Sequence, residues 1–197
     1  DHINKKVLGV LTAIASVVGM LLAFLLFFYL PTIAVNFINK LSGDVLSNYR
    51  ALFEGIIRMI IFVAYIALVS LMKDIKRTFM FHGAEHKAIF CYEQGLPLTV
   101  ENIKKQKRFH PRCGTSFLMF VMIISLILFS FLGWPNLLWR IVSRLLLIPV
   151  VAGVSYELLR WAGRSDNILV KILSMPGILL QKLTTREPEV EHLEVAI

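Results

Sequence analysis

Apolar and polar positions alternate along this chain in blocks rather than turn by turn. Residues 7–38 carry no charge, and a helix needs about 20 apolar residues to cross the hydrocarbon core of a bilayer. The block therefore predicts a first span over 7–30, with Pro31 ending or bending the helix. A polar stretch over 39–50, with Gly43, Asp44 and Asn48 as turn material, leads into a second span over 51–72. Spans three and four are predicted over 116–133 and 137–161, joined by a turn at Gly133, Trp134, Pro135 and Asn136 whose tryptophan suits a membrane interface. Residues 166–183 are apolar but interrupted by Pro176 and Gly177, which predicts a pair of interfacial helices rather than a fifth span. The expected fold class is all-α: a polytopic membrane helix bundle of about four spans, forming one membrane domain over 1–197, with a hydrophilic loop over 73–115. Within that loop residues 79–94 are helix formers that stop at Gly95 and Pro97. Residues 99–109 suit either a second short helix, capped by Thr99, or a plain basic loop.

Composition sharpens this picture. The 197 residues are 57% hydrophobic, with a mean hydropathy of +0.71, far above a soluble domain of this size. The net charge of +8 would suit nucleic acid, but basic residues beside apolar spans are topology signals and contacts to anionic lipid, so no sequence-specific nucleic-acid binding is expected. Lys73, Lys76, Arg77, Lys87, Lys104, Lys105, Lys107, Arg108 and Arg112 all fall in the 73–115 loop, which places it in the cytoplasm. Four spans then return the chain to the same side, with both termini cytoplasmic, in keeping with Lys5 and Lys6 before the first span and Arg160 and Arg164 after the last. Two cysteines on that side are free thiols or metal ligands, with Cys91 in an apolar helical context read as core. The chain opens on Asp1 without an initiator methionine, and it is expected to begin inside a longer protein.

The candidate chemistry sits in the same loop. His82, Glu85 and His86 form H-x-x-E-H, which on a helix sets two imidazoles on one face with about 6 Å of rise between them. This is the inverted zincin signature, in which two histidines bind zinc and the glutamate serves as general base. A catalytic zinc takes a third protein ligand, and Glu157 on the fourth span, arriving at the same membrane face, is one candidate. The other is the cluster His110-Pro111-Arg112-Cys113-Gly114, whose His110 and Cys113 would, with both histidines, close a structural four-ligand site. Zinc is the expected cofactor, with another divalent metal as an alternative. Arg112 and Lys87 are candidate contacts to substrate or partner. Glu54, Arg58, Arg140 and Arg144 are charged residues at membrane depth, and the four-residue spacing of Glu54 and Arg58 suits an intrahelical ion pair.

The runs HGAEHKAIFCYE, RFHPRCGTSFL, SYELLRWAGR and LTTREPEVEHLEVAI resemble the YqhQ-like family, bacterial membrane proteins described as predicted metal-dependent enzymes. The resemblance covers nearly the whole chain. It implies a multi-span protein of the bacterial plasma membrane with a metal site at His82, Glu85, His86, His110 and Cys113. Family members usually carry a glycine-rich soluble N-terminal portion, which is absent from these residues. Two functions are expected on these grounds. One is a zinc-dependent membrane hydrolase acting near the cytoplasmic interface, with Glu85 as base. The other is a non-catalytic membrane factor whose metal or polar site shapes a basic loop for an acidic partner such as protein-translocation or insertion machinery.

Overall fold

A computed structural model describes residues 5–133, 136–165 and 167–197. The predicted interfacial tryptophan, Trp134, and the first residue of the predicted interfacial pair, Asp166, lie outside the described residues, as do the side chains of Lys5 and Lys6. Among the described residues the chain is all-helical, and four of its helices are long and apolar enough to cross a membrane: Val7–Leu41, Ser47–Val69, Gly114–Phe131 and Leu137–Ala162.

The first of these does not end at Pro31. It runs as α1 (Lys5–Phe24), a π-helical turn (Leu25–Tyr29) and α2 (Leu30–Leu41). Proline has no N–H to donate and crowds the carbonyl one turn earlier. The π turn takes up this defect: Leu30 N–H bonds back to Leu25 O, and the carbonyl of Phe27, four residues before Pro31, accepts instead from Arg58 Nε at 2.9 Å. A proline is thus carried through an apolar helix because a neighbouring helix supplies the missing donor.

Helix α3 (Arg50–Val69) packs on α2, and α4 (Lys73–Glu93) follows it after a short break. The hydrophilic connection is therefore built on a 21-residue helix, with a second short helix, α5 (Val100–Lys104), capped by the Thr99 hydroxyl, which accepts from Asn102 N–H. Helices α6 (Gly114–Phe131) and α7 (Leu137–Ala162) form an antiparallel pair.

Residues 168–184 correct the expectation of a broken interfacial pair. They form one continuous helix, α8 (Ile168–Thr184), through Pro176. It packs closely on α6. At the crossing a Cβ on Gly177 would lie 2.8 Å from Ser116 Cα, so only glycine lets the two backbones approach this far. The acidic tail then turns back as α9 (Val190–Val195) against α4 and α5. Ala84, Ala88, Cys91, Ile103 and Leu193 make a small core there, which fulfils the reading of Cys91 as a packing residue. The molecule thus has an apolar bundle and, at one end of it, a polar cap of α4, α5 and α9.

Candidate metal centre

The site is assembled where α4 meets the start of α6 and the end of α8. On α4 the four-residue spacing brings the two imidazoles edge to face, with ring centroids 4.5 Å apart and planes 69° apart. Each ring is fixed by a backbone carbonyl from a different segment. His82 Nδ1 donates to Thr184 O at 2.8 Å, and His86 Nδ1 to Arg108 O at 2.6 Å. Carbonyls only accept, so both Nδ1 atoms hold their protons and both Nε2 atoms are left for another partner. That partner is Cys113, the residue that opens α6, with Sγ 3.2 Å from His82 Nε2 and 3.2 Å from Thr115 Oγ1. One ligand atom from each of His82, His86 and Cys113 lies within 4.8 Å of the others.

The electrostatics of the trio are those of a charged pair. Burial alone would push the Cys113 thiol up, but hydrogen bonds from His82, His86 and Thr115 outweigh it and hold it at about 5, against an ordinary 9.0. The same bond to Cys113 raises the pKa of His82 against the effect of burial, helped by the Thr184 carbonyl and the charge of Glu85. A proton shared between imidazole and thiolate occupies the place a cation would take. Two neutral-capable imidazoles, each tied to a carbonyl through the far nitrogen, and one thiolate form a donor set that fits zinc with a fourth position left over.

Other expected ligands are not brought into this group. Glu157 is exposed on α7 and pairs with Arg160 at 3.3 Å: one turn apart on the same helix, the two satisfy each other. His110 is buried, but both its nitrogens are engaged, Nδ1 accepting from Arg112 N–H at 3.2 Å and Nε2 facing Glu93 Oε2 at 3.4 Å. Burial lowers its pKa in spite of Glu93. Arg112 is bonded to Glu93 as well. Lys87 is no free contact: it is 5% exposed, donates to Lys104 O at 3.0 Å and pairs with Glu187 at 2.5 Å. Glu85 is exposed and lines, with His82, Phe81 and Ile89, an open cavity of about 480 Å³ between α4 and α9.

Several residues that shape the site carried no recognised signal. Gln181 is fully buried on α8 and clamps the His110 loop: its Oε1 accepts from His110 N–H at 2.9 Å, while its Nε2 donates to His110 O at 2.8 Å and to Ser116 Oγ at 2.9 Å. Glu93, Thr115, Thr184 and Glu187 complete the set. Thr184 and Glu187 belong to the run LTTREPEVEHLEVAI, whose similarity to a family was visible but whose place beside the histidines was not. At Gly83, between these segments, a Cβ would stand 2.2 Å from Arg186 O; glycine there lets the tail cross α4, where Arg186 N–H bonds to Phe79 O at 2.8 Å.

This geometry comes with a sequence relationship that spans the chain. Residues 2–197 match the family described as a protein of unknown function (DUF1385). The chain belongs to the DUF1385 family. It is 39% identical over 197 residues to the uncharacterized protein YqhQ of Bacillus subtilis (strain 168), covering 98% of this chain and 62% of that protein, so it spans about three fifths of that relative's length. No solved structure matches it.

Proposed function

We propose that this DUF1385 chain is a zinc-dependent membrane hydrolase of the bacterial plasma membrane, with both termini and the polar cap on the cytoplasmic side. The observation that carries the reading is the pair of imidazoles whose Nδ1 protons are pinned by Thr184 and Arg108 carbonyls while their Nε2 atoms share Cys113. Bound zinc would supply Lewis-acid polarisation and a more acidic water. The protein's own part is positional and acid–base. Thr184 and Arg108 orient the rings, Thr115 fixes the thiolate, and Glu85, on the cavity side of His82, accepts a proton from water as it adds to the scissile bond and returns it to the leaving group. The cavity is mostly apolar and lies at one end of the bundle, which suits a peptide or lipid-derived bond near the membrane surface. Purified protein should contain about one zinc per chain by elemental mass spectrometry, lost in His86→Ala and in Cys113→Ser and kept in Glu157→Gln and Glu85→Gln. Retention of zinc in His86→Ala and Cys113→Ser, or its absence from unchelated wild type, overturns the site.

The burial of His86 and Cys113, at 4% and 6% exposure, favours a second reading in which the same ligands staple the cap together. The exposed Lys104, Lys105 and Lys107 would then dock an acidic partner such as translocation machinery. A cellular phenotype that survives Glu85→Gln but not Cys113→Ser would select this reading over the hydrolase.

A further inference from the structure

A second group of donor side chains gathers where the tail turns into α9. Glu189 precedes that helix, and Glu191 and His192 lie in it. His192 is 2% exposed, with its ring centroid 4.6 Å from that of Phe81, yet neither ring nitrogen has a hydrogen-bond partner among the described residues. A neutral imidazole carries one N–H and one lone pair, and burying both without partners is costly. The other histidines of the cap are not left in this state: His82, His86 and His110 each engage a partner through a ring nitrogen.

His192 Nε2 faces Glu191 Oε1 across 3.7 Å, too far for a hydrogen bond. Two donors held by one tetrahedral ion at about 2.1 Å each stand about 3.4 Å apart, so this gap is close to the spacing that an ion sets. One donor atom from each of Glu189, Glu191 and His192 lies within 4.8 Å of the others, and two carboxylates balance the charge of a divalent cation. The three border an open cavity of about 240 Å³ between the start of α4 and the tail, which Lys73, Lys76, Arg77 and Met80 also line. The basic side chains oppose a cation there, but all three are exposed and can turn their charges to water. Arg77 reaches Glu191 only at 3.8 Å, in a pair exposed on both sides, which makes it a weak competitor.

We propose that Glu189, Glu191 and His192 form a second metal site, for a divalent transition ion such as zinc, separate from the group of His82, His86 and Cys113. The imidazole selects against magnesium and calcium, which take oxygen ligands. With two exposed carboxylates and no thiolate, this site holds its ion more weakly than two imidazoles and a thiolate would. It therefore fills from added metal and empties on purification. An ion here closes the turn into α9, and the end of that helix, Val195 and Ala196, lines the larger cavity beside Glu85.

The test is calorimetric titration of the tag-free chain in uncharged detergent, with zinc and with magnesium. Cys113→Ser, which lacks the thiol of the other group, should bind about one zinc per chain, and wild type should take up the same equivalent beyond any metal it already holds. Glu189→Gln and Glu191→Gln change exposed side chains and should each weaken this step by about tenfold or more, whereas Glu194→Gln, exposed on the same helix, should not. Arg77→Gln removes the competitor for Glu191 and should tighten it. Zinc near saturation should raise the unfolding midpoint of wild type by about 5 °C more than that of Glu191→Gln, and magnesium should do neither. The proposal is overturned if neither Cys113→Ser nor wild type takes up added zinc, if the step survives Glu191→Gln at full affinity, or if magnesium binds as well. Purified wild type without zinc that nevertheless binds it in a step dependent on Glu191 would sink the metal reading of Cys113 and uphold this one.

Discussion

Gln181→Leu tests the reasoning about the site most directly, because the substitution keeps the volume and removes only polarity. The side chain is fully buried and makes three hydrogen bonds of 2.8–2.9 Å to His110 N–H, His110 O and Ser116 Oγ. Leucine fills the space but leaves a backbone donor, a backbone acceptor and a hydroxyl without partners in the interior. Each buried group so orphaned costs about 1–3 kcal/mol; since the Ser116 hydroxyl can turn to another acceptor, a total of about 3–5 kcal/mol is expected. For a chain of this length that lowers the unfolding midpoint by roughly 10 °C. The loss should reach the His82–His86–Cys113 cluster too, because the loop that Gln181 clamps also carries Arg108 O, the acceptor that orients His86. The assay is thermal unfolding in detergent by tryptophan fluorescence, paired with zinc content. A midpoint within about 2 °C of wild type would refute the clamp, since at that level none of the three groups is truly orphaned.

Further predictions concern the packing and the charged pairs. Gly177→Ala places a methyl group against Ser116 Cα, main chain that cannot swing aside, and should cost about 1–3 kcal/mol and separate α8 from α6, measurable as a lower midpoint and a faster proteolysis of 168–197. Glu54→Gln removes the buried carboxylate that Arg58 and Arg144 share and should destabilise by about 3–5 kcal/mol; an unchanged midpoint would show that the helix packing does not depend on that charge. For metal-free protein, folding lowers the Cys113 pKa from 9.0 to about 5, so its stabilisation is complete above 9.0 and lost as pH falls through about 5. The raised His82 contributes fully below its ordinary 6.5 and loses its share as pH rises through the higher folded value. Between pH 6.5 and 5 the cysteine branch and the lowered His110 both lose stability on acidification, so the midpoint of wild type should fall while that of Cys113→Ser, which keeps only the His110 branch, falls less over the same window. Equal slopes would show that the thiolate is not stabilised by the fold.

The helical class and the run of apolar spans come from the blocks of uncharged residues themselves, long enough to cross a membrane as helices that satisfy their own backbone hydrogen bonds. The same holds for the four-residue spacing of His82 and His86, and of Glu54 and Arg58, because contacts within one helix depend only on sequence separation. What spacing could not convey is which distant segment closes each site. Cys113 rather than His110 joins the histidines because Arg112 N–H and Glu93 claim both of the His110 nitrogens. Glu157 stays out because its own helix offers Arg160. Thr184 and Arg108 fix the rings through backbone oxygens, and every residue has one, so no side-chain pattern marks them. Pro31 and Pro176 were legible as breaks only in isolation. In the folded chain Arg58 reaches across from α3 to satisfy the carbonyl near Pro31, and the close seating of α8 on α6 at Gly177 accompanies an unbroken helix. Local chemistry was thus written in the order of the residues, while partners supplied from 22 to 102 positions away depended on how the helices packed.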